Sequence, residues 1–182
     1  VLMKGVYEMH VIDYTHGERG LGEEGYRDGS VRKMRTVEEE NACKVAGATL
    51  HWMEEVDGEA AAGMETCRKL AELLKTLNPR AVIAHWPIDT HMDHVMSTAA
   101  TLKAVQLAGL KPEIYFQEQH HQSRCYRPVF YVDISSVKAR KDEVIRCYKC
   151  QWPEAMVERE TADAKAYAAE VEKFNSVRKG AG

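Results

Sequence analysis

His85-Trp86-Pro87-Ile88-Asp89-Thr90-His91-Met92-Asp93-His94 gathers three imidazoles and two carboxylates into ten consecutive residues. A neutral imidazole is a good zinc ligand, and one supported by a carboxylate can act as an acid or an electrostatic stabiliser. If a helix starts by Met92, His91 and His94 sit about one turn apart and can face one crevice. Asp93 lies between them, close enough in sequence to orient one ring. A plainer reading exists: Asp89 or Thr90 caps a helix and the histidines are merely solvated. Against it stands the density of ionisable groups directly after an apolar run, which packing does not require.

That run, Ala81-Val82-Ile83-Ala84, reads as a short buried strand. Open α/β sheets place their sites at the carboxyl ends of strands. The helix after it runs from Met92 through Leu102 and Val105 to about Ala108. Upstream, Val6 to Tyr14 reads as a strand ending in the glycine-rich loop Thr15 to Gly22, where His16 and Glu18 could line the same crevice. The loop is not GxGxxG and no helix follows at once, which argues against a nucleotide-binding protein.

The remaining elements alternate. Val31 to Ala46 is a charged helix carrying Arg35, Glu38, Ala42 and Ala46. Spacing favours an Arg35–Glu38 ion pair worth a few tenths of a kcal/mol, with Arg35 reaching a ligand as the alternative. Ala48 to Met53 is a strand, with His51 and Trp52 on opposite faces; Met64 to Leu77 is a helix with a Leu70, Leu73, Leu74, Leu77 stripe. Glu113 to Gln117 is a further strand, and of His120 and His121 after it at most one faces the site. Val129 to Ile134 is expected as the last strand, with Ser135 capping a helix from Ser136 to about Gln151. Pro153 is expected to break it, before a terminal helix from Glu158 to Asn175 that packs through Tyr167, Val171 and Phe174. Strands alternating with helices point to a parallel-sheet, three-layer α/β domain.

The 182 residues suit one domain, 1–182, with an ordinary 45% hydrophobic and 29% charged composition. A net charge of −3 without basic runs argues against nucleic acid, and no apolar run approaches a membrane span. Five scattered cysteines fit a reducing, cytoplasmic setting. Cys147-Tyr148-Lys149-Cys150 has CxxC spacing, but a lone pair late in a helical pattern is read as structural. Val1 to Gly5 looks like the last turn of a helix, so the chain is expected to begin inside its domain.

In order along its length, the chain resembles the LmbE-like, or PIG-L, family of zinc-dependent de-N-acetylases. Thr15-His16-Gly17-Glu18 resembles the family's Thr-x-Gly-Glu turn, and Arg35-x-x-Glu38 its Arg-x-x-Glu helix. Asp89-x-His91-x-Asp93-His94 matches the Asp-x-His-x-Asp-His signature. Val132-Asp133-Ile134-Ser135 is similar to the family's Val-Asp-Ile-Ser segment, while Tyr148 and Cys150 replace its later His and Ser. The resemblance implies a Rossmann-like α/β/α domain with a mostly parallel sheet, here without its first strand. It implies zinc held by His94, with His91 stabilising the oxyanion or protonating the leaving amine, and Asp93 orienting His91. It also implies substrate contacts from Arg35 and Glu18, and an N-acetylglucosamine-type sugar conjugate or similar amide as substrate. The family's His-Pro-Asp-Asp motif, which supplies the other ligands and the base, is not in the sequence. Hence the chain as it stands is expected to be inactive. The alternative is a non-catalytic relative that keeps the fold as a binding or structural module. Homo-oligomerisation is left open.

Overall fold

The computed structural model describes residues 7–119 and 122–180, with side chains described through Lys173. The expected helix turn at Val1 to Gly5 and the pair His120 and His121 lie outside the described residues. The chain divides into two compact units. One comprises residues 11–34 and 50–128; the other comprises the residues before Val11, 35–49 and those from Val129 onward.

The strands are β1 (Met9–Asp13), β2 (Ala48–Trp52), β3 (Ala81–His85) and β4 (Glu113–Gln117). β1 pairs with β2, and β3 pairs with β4 in parallel, from Ala81 opposite Glu113 to His85 opposite Gln117. The helices are α1 (Glu23–Arg27), α2 (Ser30–Ala46), α3 (Met64–Leu77), α4 (Met92–Ala108), α5 (Lys138–Ile145) and α6 (Pro153–Gly180). Parallel strands cannot be joined by a hairpin, so α4 makes the crossover from β3 to β4.

The first unit is built on α3 and α4. The leucine stripe of α3 buries Leu70 and Leu74, with Leu73 partly buried beside them. They meet Ala104 and Val105 of α4 and Met53 after β2, with Ile12, Tyr14 and Ile114 packed against the cluster. α3 ends at Asn78 and α4 at Gly109, both in the left-handed conformation that closes a helix. Thr98 is buried on α4 and its hydroxyl donates to the His85 carbonyl at 3.0 Å, pinning the helix to the end of β3.

The second unit departs from expectation. Val129 to Ile134 is not a strand: Val129 is 92% exposed, and Phe130, Tyr131 and Val132 are exposed with it. β-branched and aromatic residues favour strands because they fit a pleated, half-buried surface, and no ladder forms here. Ser135 does not cap a helix; it opens a short 3-10 turn, and its amide donates to Asp133 Oδ1 at 2.8 Å. The expected helix to Gln151 stops at Ile145 and continues as a second 3-10 turn, Lys149–Gln151. Pro153 starts α6 rather than breaking a helix, since a first-turn proline loses no intrahelical bond.

α2 and the 148–151 turn are joined in this unit by carboxylates. Glu38 is buried and accepts the Cys150 amide at 3.0 Å, while Glu39 accepts the Tyr148 hydroxyl at 2.7 Å. Tyr148 and Cys150 therefore anchor this turn to α2.

Candidate functional site

β3 carries its chain to the start of α4, and the turn between them holds the imidazoles. Asp89 Oδ1 accepts the His91 amide at 2.8 Å, so the carboxylate folds back on its own turn. His91 is the N-cap of α4 and its side chain makes no capping bond. The helix-cap reading of Asp89 or Thr90 therefore does not hold.

His85, His94 and His91 stack in that order, with ring centroids 4.2 Å and 4.6 Å apart. Their placement follows from the elements: His85 ends β3, and His91 and His94 occupy the first turn of α4. The Nδ1 atoms of all three rings are buried without a hydrogen-bond partner. His94 Nδ1 lies 3.3 Å from Asp89 Oδ1, an electrostatic contact outside hydrogen-bond geometry. The Asp89 side chain is fully enclosed, and its Oδ2 accepts the Ser123 hydroxyl at 3.1 Å.

The electrostatics follow from this enclosure. Burial first, and the neighbouring His94 second, push the His85 imidazole down to about 4, so it is neutral near pH 7. Burial also lowers His94, against the opposing pull of Asp89. Burial disfavours the charged form of Asp89, yet the His91 amide, the His94 ring and Ser123 outweigh it and hold the carboxyl below its usual range.

Two loops bring further carboxylates to the start of α4. Glu18 is only 4% exposed, and its Oε1 accepts the Asp57 amide at 3.2 Å. Asp57 Oδ2 accepts the Arg19 amide at 3.0 Å, and buried Asp93 accepts the Gly58 amide through Oδ2 at 2.7 Å. Gly58 has a φ of +79°, and a Cβ there would lie 3.2 Å from Arg19 Nη1. The Glu18 loop is braced by buried His16, whose ring stacks on Trp52 at 3.7 Å and whose Nε2 lies 3.4 Å from Glu54. Arg32 pairs with the same Glu54.

One ligand atom from each of Asp57, His91 and Asp93 falls within 4.8 Å of the others, a spacing that can hold a metal ion. Imidazole and carboxylate donors of this kind suit zinc and related divalent ions. Of the residues singled out from the sequence, His91, Asp93, His94 and Glu18 all lie in the unit that carries this cluster. Arg35 belongs to the other unit, where its guanidinium neighbours Cys150. Asp57 escaped the sequence reading, because its Asp-Gly pair looked only like a turn.

Comparison with known proteins gives the site its context. The family model PIG-L, described as GlcNAc-PI de-N-acetylase, matches residues 2–105. The 4-oxalmesaconate hydratase of Pseudomonas putida is 28% identical over 159 residues, covering 78% of this chain and 62% of that protein. The chain thus spans less than two thirds of that curated relative's length. The crystal structure of GalB, the 4-carboxy-2-hydroxymuconate hydratase of the same species, superposes with a TM-score of 0.80 at 26% identity, over 92% of this chain and 76% of that one. The N,N'-diacetylchitobiose deacetylase of Pyrococcus horikoshii shares the fold, with a TM-score of 0.69 at 21% identity, over 88% of this chain and 66% of that one. The architecture is therefore the Rossmann-like α/β fold of LmbE-like proteins. The family match covers more than half of the 182 residues, and the chain belongs to the PIG-L family.

Proposed function

We propose that the chain carries the acid–base and ligand-positioning part of a zinc-dependent de-N-acetylase that acts on an N-acetylglucosamine-type sugar conjugate. The observation that carries this reading is the contact between His94 and Asp89 beside His91. A metal-binding imidazole normally presents its second nitrogen to a carboxylate, which fixes the ring and its tautomer. With Nδ1 of His94 held 3.3 Å from Asp89, Nε2 is the nitrogen left to ligate. His94 therefore fits as one ligand of a zinc ion, and a complete catalytic site takes two more. When bound, zinc would polarise the amide carbonyl and activate water. His91, one helical turn from His94 and at the N-cap of α4, would give its proton to the departing amine nitrogen. Asp93, whose carboxylate is locked by the Gly58 amide, would keep His91 oriented. Glu18 is buried against Asp57 and would act by holding that turn rather than by touching substrate.

A second reading is hydration of an unsaturated polycarboxylate, favoured by the Pseudomonas putida hydratase activity matched in sequence at 28% identity and in structure at 26%. Both chemistries add water to an sp2 carbon. The deciding experiment supplies zinc and follows two reactions: primary amine release from N-acetylglucosamine conjugates, and loss of the ultraviolet absorbance of 4-carboxy-2-hydroxymuconate. Amine release supports the deacetylase. Hydration without amine release replaces it with the hydratase, and zinc binding with neither reaction in a chain extended by a His-Pro-Asp-Asp segment points to a non-catalytic relative.

A further inference from the structure

We infer that Asp57, His91 and Asp93 form a divalent-cation site distinct from the zinc position at His94, and that a cation there takes His91 out of proton donation. The second clause rests on the role proposed above for His91; the first does not. Three carboxylates, Glu18, Asp57 and Asp93, surround the single turn at Asp57-Gly58, and each commits one oxygen to a backbone amide. Those bonds fix the carboxylates in place without neutralising them. The remaining Glu18 oxygen, Oε2, is buried with no hydrogen-bond partner, and so is His91 Nδ1. An unsatisfied buried carboxylate oxygen is costly, and a nearby cation is the ordinary compensation.

The donor set is suited to the task. Asp57, His91 and Asp93 bring one ligand atom each within 4.8 Å, from the loop after β2 and from the first turn of α4. His94 does not join them: its Nδ1 faces Asp89 and its ring lies between His85 and His91 in the stack. Two oxygens and one imidazole match zinc, cobalt or manganese better than a soft ion. A cation on His91 would occupy the nitrogen lone pair that must carry the transferred proton, so an excess of metal would inhibit.

The test uses the full chain, stripped of metal by chelation and titrated with Co2+ by equilibrium dialysis and visible absorbance. The expected result is saturable binding that weakens on the order of 100-fold in Asp57→Asn and persists in His94→Gln. His91→Gln reads the same site from α4 if Asp57→Asn melts below the working temperature. Equal loss in Asp57→Asn and His94→Gln would mean one shared centre and would overturn the inference. Loss in His94→Gln alone would overturn it too, while leaving the zinc reading of His94 intact. An absence of Co2+ binding at millimolar concentration would likewise sink it.

Discussion

Asp89 and His94 face each other at 3.3 Å across the turn that launches α4, with the carboxylate also held by the His91 amide and the Ser123 hydroxyl. One enclosed side chain thus fixes the backbone of the turn and sets a negative charge against the ring of the candidate ligand.

Replacing that anchor should separate its two roles. Asp89→Asn keeps the shape and should lower zinc affinity at His94 by roughly 10- to 100-fold, as loss of a ligand's outer partner does. Asp89→Ala should in addition cost about 1–3 kcal/mol of stability, because the half-buried Ser123 and His91 donors lose their acceptor. Calorimetric zinc titration and urea melts check the two effects; unchanged affinity in Asp89→Asn would contradict the ligand-orienting role.

Acid should destabilise the metal-free protein earlier than its carboxylates alone would require. Burial, then His94, keeps folded His85 neutral down to about pH 4, whereas an unfolded imidazole takes its proton near 6.5. Between those values the unfolded chain binds more protons, so stability is full above the ordinary imidazole range and falls as pH drops through the window. The full shift would be worth on the order of 3 kcal/mol, and partial exposure of the ring discounts the loss to ~2 kcal/mol by the lower end. Urea melts across this range should show the slope in the wild type and a shallower one in His85→Gln.

Leu70→Ala should be the costlier kind of core change. Leu70 is 1% exposed, between Met53, Leu74 and the alanine face of α4. Truncation there should cost about 2–5 kcal/mol through lost transfer energy and an unfilled cavity. A denaturant midpoint unchanged from wild type would show that the α3–α4 core is not the one described.

The cysteines should differ in reactivity. Cys125 is exposed, whereas burial first and the Glu38 carboxylate second push the Cys150 thiol above its ordinary range. Since the thiolate is the nucleophile, iodoacetamide should modify Cys125 first and Cys150 slowly near neutral pH, as peptide mapping would reveal. Faster labelling of Cys150 would indicate that the turn is not held against α2.

Strong local patterns in the sequence carried over to the structure where packing agreed with them. α3 and α4 have the bounds their apolar spacing and left-handed closing residues predict, and β4 those of its run of apolar residues. Val129 to Ile134 misled because strand propensity describes a surface that a neighbour must complete. His91, Asp93 and His94 were visible because they lie within one helical turn of each other. Asp57 was invisible, since only the folding of the 54–63 loop onto α4 brings it to them. Glu18 was legible as a loop carboxylate near the strand ends, but its burial and its bond to the Asp57 amide depend on how the 54–63 loop folds.

The Thr98 hydroxyl, bonded to the His85 carbonyl, has a consequence for timing. It ties the second turn of α4 to the last residue of β3, so the backbone positions that carry the three stacked rings are fixed to one another. Displacing the ligand-bearing backbone as a whole would require α4 to part from the strand, an opening that draws on the stability of the core. The rings therefore meet an arriving ion already placed, and the ordering of their backbone is complete before any ion binds.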